Sequence, residues 1–305
     1  MSNKRSSPTA ASAAQHDVAA GMLFALAGFA CLSVGDGLIK SLGGSWPGSA
    51  VAALRYAFGA LGLGAILFLK EGRAGFRLPL PWVQLARGFS VALATIAFFS
   101  SIFLMPLASA TAIQFISPML TALLSAVFLR EPISRGALLA SLLAFVGVII
   151  VLRPSFVDLG WVALMPLVAA IGMSWLMMAN RQASGSGSVL LMQFLIAAIA
   201  APILIAATAI GHFSGFEPLQ VGWPDDHTIM VCATVAITAS VAHMLIYIAT
   251  DRSSAATVAP MVYVQILVAI AIGVIFYQDY PDQIAMAGTA LIIASGLYLW
   301  SRGRA

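Results

Sequence analysis

Two stretches decide the fold: FISPMLTALLSAVFLREP, residues 115–132, and YVQILVAIAIGVIFYQDYP, residues 263–281. Each is an apolar run that ends in an acid, Glu131 or Asp279, followed at once or nearly so by Pro132 or Pro281. Phe115 and Tyr263 stand the same 16 residues before that acid. A helix needs about 20 mostly apolar residues to cross the hydrocarbon core of a bilayer. Any two membrane helices look somewhat alike, so this match only supports an internal repeat, which rests mainly on the count of spans and the placement of charge.

Similar runs fill the chain. Spans are expected near 18–40, 47–69, 82–104, 106–129 and 136–152, then again near 159–179, 189–210, 228–249, 253–276 and 283–300. Composition agrees, with 61% of residues hydrophobic and 9% charged, whereas a soluble domain carries roughly 25% charge. Ten helices of spanning length use about two thirds of the chain and leave little for an aqueous domain. The basic excess, 15 against 11 acids, is too small and too scattered to suggest nucleic acid. Cys31 and Cys232 lie within apolar runs, where cysteine packs as a small hydrophobe. Residues 1–17 are polar and small, without a cleavage signal behind an apolar core, and read as a disordered cytosolic tail.

Basic residues orient the chain. With the N-terminus inside, Lys4, Arg5, Lys70, Arg73, Arg77, Arg130, Arg135, Arg181, Arg252, Arg302 and Arg304 are cytosolic, while Lys40 and Arg153 are outside. An even number of spans puts both termini in the cytosol. Two halves of five spans, 18–152 and 159–300, then run through the membrane in opposite senses, which is an inverted repeat. The longest loop is expected at 211–227, GHFSGFEPLQVGWPDDH, where Pro, Gly and acids cluster.

From about Met22 to Trp300 the chain resembles the drug/metabolite transporter superfamily and, within it, the EamA-type transporters. The resemblance is carried by Gly35-Asp36-Gly37 and Lys40, by Leu54-Arg55-Tyr56, by the stretch from Pro118 to Arg130-Glu131-Pro132, and by Tyr263-Val264-Gln265 with Asp279 and Pro281. Asp279 stands where the family pattern has a glutamate, and the proline of that pattern near Ile266 is absent. The resemblance implies an all-α membrane protein of ten helices, two inverted five-helix repeats around a central cavity that opens alternately to each side. It also places Gln114, Trp175, Tyr263 and Gln265 on helices that line such a cavity.

Ionisable side chains inside spans are few, and each costs about 2.5–3.5 kcal/mol at the bilayer centre on insertion scales. Asp36 lies near the outer end of the first span with Lys40 four residues on, a favourable order for a helical pair. Arg55 descends from the same side in the second span to a similar depth. Asp36 and Arg55 therefore either pair to fix helix register, or face a cavity and bind a charged group of the solute or a proton. His243, deep in the eighth span, is a candidate proton site beside Asp36 or a hydrogen-bonded packing residue. Arg87 is expected to snorkel to the headgroups. Gly21, Gly28 and Gly35, seven apart, are expected to pack on one face. Pro118 and Pro260 are candidate hinges. Trp46, Trp82, Trp161, Trp223 and Trp300 fall at span ends or in a loop, as an aromatic belt requires.

These features point to a secondary transporter of a small organic solute in a bacterial cytoplasmic membrane, acting as a monomer or homodimer, with proton coupling open and no cofactor expected. No glycine-rich phosphate loop is present to draw on ATP. A membrane enzyme acting on a lipid or small metabolite is the rival, but it needs clustered His, Asp or Glu. His16, His212, His227 and His243 are scattered along the chain.

Overall fold

The structure is a computed structural model of the chain and describes residues 8–128, 135–183, 185–252 and 259–302. Arg130, Glu131 and Pro132 lie outside them, as do Lys4, Arg5 and Arg304. All regular structure among the described residues is helical. In order the helices are α1 (Pro8–Lys40), α2 (Gly48–Glu71), α3 (Pro81–Leu104), α4 (Leu107–Gln114), α5 (Ser117–Phe128), α6 (Arg135–Leu159), α7 (Met165–Ala183), α8 (Val189–Phe213), α9 (Asp226–Arg252), α10 (Val264–Tyr277) and α11 (Gln283–Arg302). Among the described residues seven helical stretches are long and apolar enough to cross a membrane, and the shorter apolar stretches Leu138–Arg153, Met261–Tyr277 and Gln283–Leu299 coincide with the fifth, ninth and tenth expected spans.

Local chemistry sets the helix starts. Ser188 Oγ accepts from the Leu191 N–H at 3.2 Å and caps α8. Asp225 accepts from the Thr228 N–H at 2.8 Å and caps α9, and the Thr228 hydrogen bonds, side chain and backbone, hold its carboxyl below the usual carboxylate range. Asp282 caps α11 through the Ala285 N–H. Pro81 opens α3 at a position where its missing N–H costs nothing.

The structure departs from expectation at three boundaries. First, α1 begins at Pro8, so residues 8–17, read as tail, are helical. Second, the fourth span is two helices, broken at Phe115–Ile116. Pro118 sits in the first turn of α5 and leaves no interior carbonyl without a donor. Third, the ninth span opens with the 3₁₀ turn Ala259–Tyr263, which contains Pro260, and becomes α-helical only at Val264.

The most extensive helix contacts join α1 to α9, α3 to α7, α2 to α8 and α6 to α11, with α4 against α10. Numbered as spans these are 1·8, 3·6, 2·7, 5·10 and 4·9. Advancing every number by five, cyclically, converts the first pair into the second and returns each of the others to itself. Two contacts have the same character. A Cβ on Gly147 would lie 2.8 Å from the Gly288 carbonyl oxygen, and a Cβ on Gly288 would lie 2.8 Å from that of Gly147. Phe115 and Tyr263, each 16 residues before an acid, meet edge to face with ring centroids 5.9 Å apart.

Of the first-helix glycines, Gly28 is in tight contact, since a Cβ there would lie 2.8 Å from Ile246 and 2.9 Å from the Ala242 carbonyl. Gly35 leaves ordinary room, 3.5 Å from Val235, and Gly37 is tight against Ile272 instead. The core is aliphatic, with Ile39, Leu42, Ile102, Ile113 and Ile266 fully buried. Large apolar side chains such as Leu69, Trp82, Trp161 and Phe213 are at least 80% exposed, an apolar surface that suits lipid rather than water.

Candidate functional site

A cavity of about 620 Å³ lies between α2, α8 and α9, within the range that holds small organic ligands. Arg55, Gly59, Leu63, Ile66 and Lys70 recur at helical spacing along one face of α2 and form one wall. Val189, Gln193 and Ala197 of α8, with Ala236, Ser240 and His243 of α9, form the others. Space arises where the sequence is small. The nearest atom to a Cβ on Gly59 would be the Ala197 methyl at 4.0 Å. Lys70 and Glu71 mark one end, where Glu71 Oε1 accepts from Ser188 Oγ at 2.6 Å and ties the finish of α2 to the start of α8.

Arg55 lies at the deep end. Its guanidinium sits over the Phe99 and Tyr56 rings, 5.5 and 5.1 Å from their centroids, and the Tyr56 hydroxyl shares a hydrogen bond with Thr95 Oγ1 at 3.2 Å. Asp36 is level with it across the bundle. Cys31 Sγ donates to the Thr238 carbonyl at 3.5 Å and Gly35 faces Val235, which brings Asp36 to the depth of Ala236. The Arg55 charge acts on Asp36 and on His243. Among the described residues, however, no carboxylate comes within 4 Å of Arg55, so the direct Asp36–Arg55 contact read from the sequence does not form. His243 is exposed to the cavity.

Asp36 does not pair with Lys40 either. The Lys40 ammonium meets Asp279 Oδ2 at 2.7 Å and donates to the Met105 carbonyl at 2.8 Å, with the Tyr277 ring 5.3 Å away. The Tyr277 hydroxyl donates to the Gly37 carbonyl at 2.6 Å. One cluster therefore binds the end of α1, the α3–α4 junction and the end of α10. Gln278, at φ 56°, turns the chain so that the Asp279 N–H returns to the Gly273 carbonyl at 2.9 Å and its carboxylate faces Lys40. At the end of the bundle opposite Lys70 and Glu71, this cluster fastens three elements.

The other expected site residues lie elsewhere. Gln114 is half-buried at the end of α4 beside the break. Tyr263 packs on Phe115 and fills the space over Gly296. Gln265 is buried, and its carbonyl accepts from Ser33 Oγ at 2.9 Å. Trp175 is 37% exposed on α7. None of the four lines the cavity. Arg87 does not snorkel. It is buried, donates to Asn180 Oδ1 at 2.7 Å and to Gln84, and approaches Met192 Sδ. Amide acceptors from α3 and α7 satisfy the guanidinium in place of headgroups. Sequence reasoning missed Gln193 and Ser240, whose one available signal was a polar residue within an apolar run. A second space of about 400 Å³, between α2 and α8 near Trp46 and His212, is mostly apolar.

The sequence matches the model of the EamA-like transporter family twice, over residues 19–153 and 160–301. A pseudopaline exporter of Pseudomonas aeruginosa is 27% identical over 291 residues, 92% of this chain and 95% of that one. An S-adenosylmethionine uptake transporter of Rickettsia bellii is 23% identical over 270 residues, 88% of each. A riboflavin transporter of Rhizobium johnstonii is 25% identical over 258 residues, 84% of this chain and 82% of the other. A solved crystal structure superposes with a TM-score of 0.60 at 19% identity, covering 94% of this chain and 99% of that one, a likeness of fold. Family and relatives alike are transporters, not enzymes. The chain belongs to the EamA-like transporter family.

Proposed function

We propose that this protein is a secondary transporter that carries a small organic solute across a bacterial cytoplasmic membrane by alternating access. Ten crossings, with both termini in the cytosol, form two inverted repeats at 18–152 and 159–300. The observation that carries this reading is the pairing of spans across the halves, in which Gly147 and Gly288 contact each other reciprocally. A two-fold axis in the membrane plane produces such contacts, because residues beside the axis meet their own counterparts. The separate family matches at 19–153 and 160–301 favour the same division.

In this reading the Lys70–Glu71 end of the cavity faces the cytosol, and the Lys40–Asp279 cluster closes the outer end. Phe115, Tyr263 and the helix breaks beside Pro118 and Pro260 lie at the junction about which the halves rock, with Gln114 and Gln265 next to them. Arg55 and His243 meet the solute. Asp36 and His243 supply the ionisable groups for proton coupling. Relatives named for uptake and for export share nearly the full length of the chain, so direction follows from the gradients.

The test uses vesicles holding the purified full chain, loaded with a small-molecule extract of the host cell and read by mass spectrometry against protein-free vesicles. Saturable, protein-dependent efflux of at least one organic solute, accelerated by the same solute outside, is the expected result. Unsaturable ion conductance, or chemical conversion without flux, contradicts it.

A further inference from the structure

We infer that the cavity binds an organic anion, with Arg55 holding its carboxylate and the lower wall holding an apolar body. The inference rests on the transporter reading and names the substrate class for that site. The Arg55 guanidinium sits over the Phe99 and Tyr56 rings, 5.5 and 5.1 Å from their centroids, a contact that leaves its N–H donors without an acceptor. Among the described residues no carboxylate lies within 4 Å of it. The guanidinium thus faces an open volume inside the bundle, its donors unused among the described residues, and a planar carboxylate is the group that this fork matches with two parallel hydrogen bonds.

The rest of the lining agrees in sign. Asp36 is not part of it, and the one acid that is, Glu71, is engaged by Ser188 and stands 16 residues from Arg55, about 24 Å along a straight helix. A cation at the deep end would meet the Arg55 charge directly, whereas the acid at that depth, Asp36, stands outside the lining. Leu63, Ile66 and Met244 below Arg55 offer apolar surface to the body of the ligand. That depth also separates Arg55 from the headgroups at the Lys70 end, so the ligand is a free solute and not a lipid.

The experiment measures binding to the full chain in phosphatidylcholine nanodiscs with three isosteres: N-acetylphenylalanine, an anion; N-acetylphenylalaninamide, neutral; and phenylalaninamide, a cation. The carboxylate is expected to bind at least tenfold more tightly than either amide. Arg55→Gln should abolish that preference, Arg55→Lys should keep part of it, and Gly59→Leu, which projects into the cavity, should weaken binding of the carboxylate. Should Arg55→Gln fail to fold, the isostere series and Gly59→Leu carry the test. Equal binding of the three probes, no binding of the carboxylate, an unchanged preference in folded Arg55→Gln, or full affinity in Gly59→Leu overturns the inference. So does loss of binding when phosphatidylglycerol is added to the nanodiscs, since the lipid is then the occupant. Anion binding at Arg55 without flux of any solute sinks the transporter reading alone. Flux of solutes with no preference for the anion sinks this inference alone.

Discussion

Lys40 shows how one side chain joins distant parts of the chain. Its ammonium and Asp279 are 11% and 23% exposed, so removing one partner strands a charge that water only partly reaches. Asp279→Asn should lower unfolding stability by about 1–3 kcal/mol, the usual cost of a desolvated group left without its partner. The double variant Lys40→Met/Asp279→Leu should cost less than the sum of its single changes, because neither charge is left behind. Chemical unfolding of all four proteins gives the coupling, and simple additivity would mean that the pair does not tie these elements together. The sequence shows Lys40 and Asp36 at a favourable spacing, and it shows Asp279 at the end of a matched span. It does not show which acid the lysine chooses. That choice depends on the left-handed turn at Gln278 and on the approach of α10 to α1, neither of which is encoded near Lys40. The same limit applies to Arg87, whose partner Asn180 is 93 positions away.

At the scale of elements, close approach is set by single glycines. Gly28→Ala should destabilise by about 1–3 kcal/mol, since its methyl would meet Ile246 and the Ala242 carbonyl inside normal contact distance. Gly35→Ala has room and gains helix propensity, so it should be neutral or stabilise by up to about 1 kcal/mol. Thermal unfolding in detergent checks both, and equal effects would refute the packing of α1 against α9. A seven-residue spacing alone makes these glycines look equivalent, and the geometry of the partner helix separates them. Helix positions were legible, because apolar runs are local signals. The break at Phe115–Ile116 was less so. Pro118 announces a disturbance, but whether the chain kinks there or restarts depends on the packing around it.

At the scale of the molecule, the cross-half pairing of helices makes the proposed repeat a physical device. In the proposed mechanism, two halves that meet at Gly147 and Gly288 and at Phe115 and Tyr263 exchange conformations about a shared axis, and the cavity opens at the Lys70 end while the Lys40 cluster holds the other. Family membership was legible in loosely spaced motifs along the whole chain. The cavity was less legible, because Gly59, Ala197 and Ala236 contribute to it by being small, and small residues are common in every membrane helix. The most direct test of one cavity open to one side at a time is labelling of Ser240→Cys, in a Cys31→Ala/Cys232→Ala background, by an impermeant maleimide in oriented vesicles. Labelling is expected from the Lys70 side with protection from the Lys40 side, and a shift toward labelling from the Lys40 side when Asp279→Asn is added. Equal labelling from both sides, or no response to Asp279→Asn, would contradict it.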